Sequence, residues 1–312
     1  MIQAIPKTQP TPKARGETVL RVEGLGKRFG SVAAVEGVDL EVCRGEIFGF
    51  LGPNGAGKTT TLGMILGLVE PSAGKVELLG EPVRPGRTHA LRKVGALLGA
   101  PAIYPHLSAR QHLELIAGLH GGITRQRVEE VLEQLGIARA AHRAAGSYST
   151  GMKQRLGIAM ALLAEPELLI LDEPSNGMDP SGMKEMRELM RSLAAQGVTI
   201  IFSSHILHEV EQVCDRIAVI YKGKRVAQGA VRDLLASGDG VRVRVESPEE
   251  AALVLGGLAE RAEVQGEYLL VRGLEARAVV TRLVQAGLPP SEVVPIESGL
   301  EELFLELTGG RQ

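Results

Sequence analysis

Short apolar runs, separated by polar turns and amphipathic stretches, set the pattern of the first three quarters of the chain. Residues 47–51 and 168–171 are apolar at almost every position, which is typical of strands buried on both faces of a parallel sheet. Residues 18–24 and 38–42 alternate apolar and polar side chains instead, as half-buried strands do. Stretches with helical spacing lie between these runs. The pattern therefore predicts an α/β domain over residues 18–230.

The middle of this domain carries helical patterns and no cluster of acids and bases. Ser108 is a good N-cap for a helix that begins near Ala109, and a second helical pattern covers residues 124–135. We interpret residues 100–160 as a helical insertion that presents a surface.

A different pattern begins after residue 230. Strand-like segments alternate with helical ones in the order 241–245, 248–258, 268–272, 276–286, 293–296 and 300–307. This order predicts a small α+β domain over residues 241–312, joined by a linker at residues 231–240. The domain holds no catalytic cluster, so a role in dimer contacts or regulation and simple structural closure both stay open.

One glycine-rich segment carries the strongest chemical signal. It fits the pattern G-x-x-x-x-G-K-[ST] and consists of Gly52, Pro53, Asn54, Gly55, Ala56, Gly57, Lys58, Thr59 and Thr60. Its glycines let backbone N–H groups converge on phosphate oxygens, and the helix that follows adds about half a positive charge at its N-terminus. Lys58 would reach the β- and γ-phosphates, and the Thr59 hydroxyl would bind Mg²⁺. The alternative, a glycine turn with a solvated lysine, does not explain the strand before the loop and the helix after it.

Two carboxylates follow the second buried strand. Asp172 and Glu173 stand at its carboxyl end, where parallel sheets place ligand-binding groups. Asp172 suits Mg²⁺, directly or through water, and Glu173 suits polarisation of an attacking water, a role worth roughly 10²–10⁴ in rate. An ordinary strand exit is the alternative, but a phosphate loop in the same chain favours catalysis.

Two further side chains are candidates for contact with a nucleotide. His205 ends a strand-like run at residues 198–205, at the same predicted sheet edge, and we expect it to contact the γ-phosphate. Phe29 precedes Gly30 in a predicted loop, where it could stack on a purine face. A place in the core is an equally good interpretation of Phe29.

Charge and composition narrow the class of protein. A formal net charge of −2 gives no general attraction for nucleic acid, so no such partner is expected. Two cysteines in different predicted elements favour a reducing compartment over a disulfide framework. The longest apolar runs fall well short of the roughly 20 residues of a membrane helix. Residues 1–17 are basic and proline-rich without apolar periodicity, and we expect a disordered tail there.

A last segment lies shortly before the two carboxylates and reads Tyr148-Ser149-Thr150-Gly151-Met152-Lys153-Gln154-Arg155. It resembles the signature motif of ABC-transporter ATPases. With the phosphate loop, the two carboxylates, residues 176–180 as D-loop and His205 as switch histidine, the resemblance covers residues 18–229. The amino-acid sequences of the signature and of the segment after His205 are similar to those of the subgroup that includes bacitracin exporters and lantibiotic-immunity transporters.

This resemblance implies the fold, the ligands and the assembly. The fold would be the α/β P-loop nucleotide-binding domain of ABC type, and the ligands would be ATP and Mg²⁺. The family forms head-to-tail dimers in which each ATP lies between Lys58 of one subunit and Ser149 of the other. Ser149 caps the signature helix, and Gly151 leaves the first amides of that helix uncovered. We therefore expect a homodimer that ATP holds together and hydrolysis releases.

The resemblance also implies a partner and a place in the cell. We expect an ATP-hydrolysing subunit at the cytoplasmic face of the cell membrane, which energises transport through a separate permease docked beside residues 99–107. Export follows from the subgroup. A soluble ABC ATPase acting on ribosomes or DNA is the rival class, but its usual second cassette or long coiled coil does not fit in 312 residues. The sequence does not indicate the transported molecule.

One position departs from the family pattern. Gly99 stands where relatives usually carry a glutamine, or in this subgroup often a glutamate, that senses Mg²⁺. Glycine offers no side-chain ligand, so either water replaces that ligand or ATP sensing is weakened. A slow, ATP-gated regulatory module is therefore a third hypothesis.

Overall fold

The computed structural model describes residues 16–86, 88–236, 240–257, 259, 261–296 and 299–308. It is a mixed α/β structure, as the sequence predicts. The described chain forms two compact units, one of residues 16–48, 54–203 and 222–224, and the other of residues 49–53, 204–221 and 225–308. Residues 1–15 of the predicted tail lie outside the described residues. The predicted domain limits stay a prediction.

The first unit holds the following elements, some of which continue into the second. The strands are β1 (Thr18–Phe29), β2 (Val32–Cys43), β3 (Ile47–Leu51), β4 (Ala73–Leu78), β5 (Glu81–Pro82), β6 (Val94–Leu97), β7 (Leu168–Asp172) and β8 (Thr199–Ser204). The helices are α1 (Lys58–Ile65), α2 (Ala109–His120), α3 (Arg125–Gln134), α4 (Thr150–Leu162) and α5 (Pro180–Ala195).

An antiparallel sheet of strand order β2-β1-β4-β5 forms one layer of the first unit. The strand β1 is longer than the sequence predicts, since its pairing with β2 continues to Phe29 and Val32 around the tight turn at Gly30. Phe29 therefore ends a strand, and the prediction of a loop at this residue is wrong. Register shifts along this pair of strands interrupt the alternation of polar and apolar side chains. A prediction from simple alternation therefore ends the strand too early.

In a second sheet, β8 lies next to β7 and β7 lies next to β6. Strands β6, β7 and β8 run parallel, and every residue of β7 and β8 is buried. The predicted doubly buried strand at residues 168–171 is confirmed. The pairing of β7 with β8 sets Asp172 opposite Ser203 at the carboxyl edge.

The helical insertion begins with a well-capped helix. The Ser108 hydroxyl accepts the N–H of Gln111, and the Gln111 side chain accepts the N–H of Ser108, so both halves of a capping box are present at α2. Ser108 is the N-cap that the sequence predicts. Arg110 of α2 and Glu129 of α3 form a two-pronged ion pair that joins the two helices.

The second unit contains α6 (Leu207–Val213), β9 (Arg216–Tyr221), most of β10 (Lys224–Ala230), α7 (Val231–Ala236), β11 (Gly240–Arg244), α8 (Pro248–Leu255), β12 (Arg261–Gln265), β13 (Tyr268–Arg272), α9 (Ala276–Gln285), β14 (Glu292–Ile296) and α10 (Leu300–Thr308). The last four strands form an antiparallel sheet of order β12-β13-β11-β14. Helices α8 and α9 pack on it around Val243, Leu255 and Leu283. This β-α-β-β-α-β order is the ferredoxin-like arrangement.

Strand β12 is absent from the sequence prediction, which has three strands in this part of the chain. The missed signal is a two-residue hairpin turn at Gly266 and Glu267, with Gly266 at a φ of +62°. The predicted linker at residues 231–240 likewise contains a short helix, α7. Within the described ranges, no helix has both the length and the apolar character that a bilayer span needs.

Candidate active site

The loop between β3 and α1 has the backbone that a phosphate-binding loop requires. Gly55 and Gly57 have φ angles of +79° and +104°, in the left-handed region where side chains are strained. A Cβ on Gly57 would also lie 2.6 Å from the carbonyl oxygen of Ala34, so this position accepts only glycine. Lys58 begins α1 immediately afterwards, and the helix N-terminus adds a partial positive charge there.

Lys58 and Glu173 are in contact. The Lys58 Nζ lies 3.2 Å from Glu173 Oε1, and the exposed fractions of the two side chains are 5% and 20%. A buried ammonium group needs a partner, and the carboxylate supplies it. The two residues that the sequence assigns to phosphate binding and to water activation therefore lie side by side.

Asp172 and Thr59 also meet. The Thr59 hydroxyl donates a hydrogen bond of 2.7 Å to Asp172 Oδ2, and Asp172 is buried at the end of β7. A hydroxyl and a carboxylate are the hard oxygen ligands that Mg²⁺ takes in phosphate-binding sites. The donor set therefore fits the metal that the sequence predicts at these two residues.

Glu173 has an unusual backbone. Its φ is +50°, a conformation that costs a residue with a side chain about 1–2 kcal/mol. Its N–H is close to two acceptors of Ser203, the carbonyl oxygen at 3.2 Å and the hydroxyl oxygen at 3.0 Å. The adjacent strand thus holds the left-handed turn that leaves the Glu173 side chain beside Lys58.

Ser203 is a site residue that the sequence reasoning missed. Besides accepting from Glu173, its hydroxyl donates a short hydrogen bond to Asp172 Oδ1. It is fully buried in a strand that is otherwise mostly apolar. A buried serine in an apolar strand, two residues before the candidate histidine, was the available signal.

A cavity of about 610 Å³ opens beside these groups. Thr59, Asp172 and Glu173 line it, and so do Gly99 and Gln154. The Gln154 amide oxygen is buried and has no hydrogen-bond partner among the described residues. Gln154 is a second polar residue at the site that the sequence reasoning did not assign.

Gly99 lines the same cavity as Asp172 and Glu173. It has a φ of +65°, and a Cβ there would meet nothing within 4 Å. Room for a side chain therefore exists, but the backbone conformation disfavours one.

The signature segment forms the capped helix that the sequence predicts. Ser149 is the N-cap of α4, and its hydroxyl accepts the N–H of Met152 at 3.3 Å. Ser149 is exposed, and neither it nor Gly151 lines the described cavity around Asp172. Thr150 and Lys153 of the same segment do line that cavity.

The second unit holds the start of the phosphate loop and the candidate histidine. The Gly52 N–H donates to the Ser204 carbonyl oxygen at 3.3 Å, and the Ser204 hydroxyl accepts the N–H of Ile206 at 2.9 Å. His205 is the exposed residue between these two. Its contact with a γ-phosphate stays a prediction.

Phe29 is 53% exposed, so its place in the core, one of the two interpretations from sequence, is excluded. The Lys27 ammonium lies 5.1 Å from the ring centroid. Stacking of this ring on a purine stays a prediction.

Taken together, the left-handed glycines, the buried lysine and the paired carboxylates define a P-loop site for nucleotide hydrolysis. Comparisons with known proteins then give the family. The ABC transporter family matches residues 35–176. Bacitracin transport ATP-binding protein BcrA of Bacillus licheniformis is 37% identical over 302 residues, which cover 94% of this chain and 98% of that protein. Nod factor export ATP-binding protein I of Burkholderia orbicola is 38% identical over 289 residues, or 91% and 94% of the two chains.

A solved structure agrees with these relatives. That of cbiO1 from Clostridium perfringens, part of the ABC transporter complex cbiONQ, superposes with a TM-score of 0.65 at 28% identity, over 77% of this chain and 97% of that one. This chain belongs to the ATP-binding proteins of ABC transporters. It binds ATP, and the activity of the family is ATP hydrolysis coupled to transport.

Proposed function

We propose that this chain is the ATPase subunit of an exporter, that it works as a homodimer with Mg²⁺, and that it drives a separate permease from the cytoplasmic face of the cell membrane. The observation that carries the proposal is that Thr59, Asp172 and Glu173 line one cavity, with Lys58 paired to Glu173. We also propose the domain division at residue 230 and the insertion at residues 100–160.

In this proposal each site residue has one task. Lys58 exchanges its contact with Glu173 for oxygens of the β- and γ-phosphates. Glu173, released from that ion pair, polarises the attacking water. Thr59 and Asp172 would hold Mg²⁺, which supplies positive charge to the phosphates when bound. His205 contacts the γ-phosphate, and Phe29 stacks on the adenine.

The homodimer is supported by the signature segment. Ser149 caps the N-terminus of α4, a position suited to anions, yet it does not line the cavity beside Asp172. A second copy of the chain would bring its own Ser149 and Gly151 to the nucleotide. ATP bound between two chains stabilises the dimer by mass action, and its hydrolysis removes that stabilisation.

Export and the separate permease are supported by the relatives. One is named for bacitracin transport and another for Nod factor export, and both match more than nine tenths of this chain. A separate permease also agrees with the finding that no helix in the described ranges is long and apolar enough to span a bilayer. The exposed Tyr104, in the segment at residues 99–107, offers a contact for that partner.

Affinity capture tests this proposal. Tagged Glu173→Gln protein, loaded with Mg-ATP, is captured from detergent-solubilised membranes of its own cell, and the captured proteins are identified by mass. This variant should hold ATP without cleaving it and so keep the dimer closed. Lys58→Ala protein, which should lose the phosphate contact, is the control.

Enrichment of a polytopic membrane protein with Glu173→Gln over Lys58→Ala would support the transporter function and identify the permease. Enrichment of ribosomal or DNA-processing proteins instead would leave the ATPase chemistry in place and overturn the proposal of a separate permease partner.

A further inference from the structure

The hydroxyl of Ser203 connects the two carboxylate residues of the site. It donates to Asp172 Oδ1 and accepts the backbone N–H of Glu173 at 3.0 Å. The side chain is fully buried, so no water competes for either hydrogen bond. A single hydroxyl thus contacts both the metal-binding candidate and the residue that activates water.

The first contact fixes the orientation of Asp172. One carboxylate oxygen is bound by Ser203, and the other accepts the Thr59 hydroxyl at 2.7 Å. A carboxylate held at both oxygens cannot rotate about its last bond without losing a hydrogen bond in a buried place. Ser203 therefore presents Oδ2 of Asp172 to Thr59, where the metal ligands are expected.

The second contact fixes the peptide that leads into Glu173. The left-handed backbone of Glu173 is strained, and such conformations persist only where the surroundings over-determine them. Ser203 supplies both acceptors of the Glu173 N–H. Of these two acceptors, the hydroxyl oxygen is closer to the Glu173 nitrogen than the carbonyl oxygen is.

We propose that Ser203 is a positioning residue for ATP hydrolysis, which orients the Asp172 carboxylate and holds Glu173 in its left-handed conformation. This inference rests on the proposed roles of Asp172 and Glu173. It goes beyond them because it assigns a function to a side chain that would act through its contacts with Asp172 and Glu173.

Thr199 provides a matched control on the same strand. It is as fully buried as Ser203, and its hydroxyl accepts the N–H of Gly45 at 2.9 Å. Both side chains lie on the same face of β8, since they are four residues apart, but Thr199 is at the opposite end, roughly 13 Å along the strand. Thr199→Val therefore removes a buried hydroxyl bond without touching the site.

The experiment compares full-length wild type, Ser203→Ala, Thr199→Val and Asp172→Asn. ATP affinity is measured by calorimetry with and without Mg²⁺, and steady-state turnover is measured at saturating Mg-ATP. We expect Ser203→Ala to lower turnover by about tenfold and to reduce the gain in ATP affinity that Mg²⁺ provides, because the hydroxyl binds a charged acceptor. ATP affinity without Mg²⁺ should stay within about twofold of wild type.

Thr199→Val should lower the melting temperature and leave both the Mg²⁺ gain and the turnover unchanged. Ser203→Cys has the same side-chain connectivity but offers only a weak donor, so it should repeat the Ser203→Ala result. It replaces the alanine variant in the comparison if that variant does not fold.

Two outcomes overturn the inference. One is a Ser203→Ala protein with the Mg²⁺ gain and turnover of wild type, and the other is a Thr199→Val protein with losses equal to those of Ser203→Ala. Asp172→Asn distinguishes failure of the inference about Ser203 from failure of the proposed metal site. If Mg²⁺ increases the ATP affinity of this variant as much as that of wild type, Asp172 is not a metal ligand.

Discussion

At the scale of the residue, Gly99 is the position where we expect this chain to differ from its relatives in how ATP binding is sensed. It lines the same cavity as Thr59, Asp172 and Glu173, the residues that we propose for metal binding and water activation. The chain has no such side chain, and the left-handed φ of +65° favours the glycine that is present. In relatives, a side-chain amide or carboxylate usually stands at this position, and we expect that here either water replaces that ligand or ATP sensing is weakened.

Gly99→Gln tests this role. The space around a Cβ is open, so the variant should fold, with a loss of about 1–2 kcal/mol from the left-handed backbone. We expect ATP affinity within about twofold of wild type and an altered turnover when the membrane partner is present. The measurements are calorimetry for ATP and hydrolysis in proteoliposomes with the captured permease.

Gly99→Ala is the matched control, because it carries the same backbone strain and adds no ligand. Partner-stimulated turnover that is the same in Gly99→Gln and wild type would contradict a sensing role at this position. An equal change in both variants would assign the effect to strain.

At the scale of the element, the sequence predicted best where burial dictates the residue type. The strand β7 is apolar at four of its five positions because both of its faces are covered, and its carboxyl end carries the predicted acids. Ser108 and Ser149 each indicated the start of a helix, because an N-cap side chain bonds to backbone groups only a few residues away in the sequence. In these cases the residues under the physical constraint themselves carry the sequence pattern.

Prediction failed where the constraint comes from far along the chain. Strand β12 has few apolar residues and exists because β13 pairs with it around Gly266. Ser203 is separated from Asp172 by 31 residues, and only strand pairing shows that its hydroxyl belongs to the site. The sequence left both a core position and a surface position open for Phe29, because the spacing of apolar residues does not determine the exposure of a single side chain.

His112 illustrates how one buried side chain can hold a whole segment. Its Nδ1 is 2.7 Å from the Ser108 carbonyl oxygen, and its Nε2 accepts the Tyr104 N–H at 2.9 Å. The ring also lies nearly parallel to the Tyr104 ring, with 6.1 Å between centroids. A neutral imidazole satisfies both backbone groups, so His112 fixes the path of residues 104–108 ahead of α2.

We expect His112→Leu to lower the free energy of unfolding by about 1–3 kcal/mol, because it leaves the Tyr104 N–H without its partner and removes the ring contact with the Ser108 carbonyl oxygen, which keeps only the backbone N–H of residue 112. Hydrogen exchange measured by mass spectrometry should be faster in a peptide covering residues 104–108. His120→Leu, at the exposed end of the same helix, is the control and should change neither quantity. Unchanged exchange in His112→Leu would show that the capping box alone holds the segment.

At the scale of the whole molecule, the net charge is too small for general charge repulsion to lower the stability much. The electrostatic contribution to stability therefore comes from particular clusters of charged side chains. One cluster joins segments that are far apart in sequence. Glu167 lies 2.7 Å from Lys93 Nζ and 2.7 Å from Arg44 Nη1, and Arg44 also pairs with Glu17. The approach to β7, which carries the site carboxylates, is thereby tied to the segments before β6 and after β2.

This cluster makes stability depend on pH in a defined direction. Hydrogen bonds from Lys93 and then Arg44 lower the pKa of Glu167 below its ordinary value of 4.5. A carboxylate whose pKa is lower in the folded state contributes stability above its unfolded pKa, and that stability is lost as the pH falls through the folded pKa. Because the side chain is about one third exposed, the contribution at neutral pH should be at most about 1 kcal/mol.

Glu167→Gln should therefore lower the free energy of unfolding in urea at pH 7, and the difference from wild type should shrink steadily as the pH is lowered below 4.5. Glu188→Gln is the control, since the Glu188 carboxylate is exposed and lies 4.0 Å from its only ion-pair partner in the described chain, Lys184. That variant should match wild type at every pH. A Glu167→Gln deficit that persists at low pH would mean that shape, and not charge, accounts for the role of Glu167, since protonated glutamate and glutamine then carry the same charge.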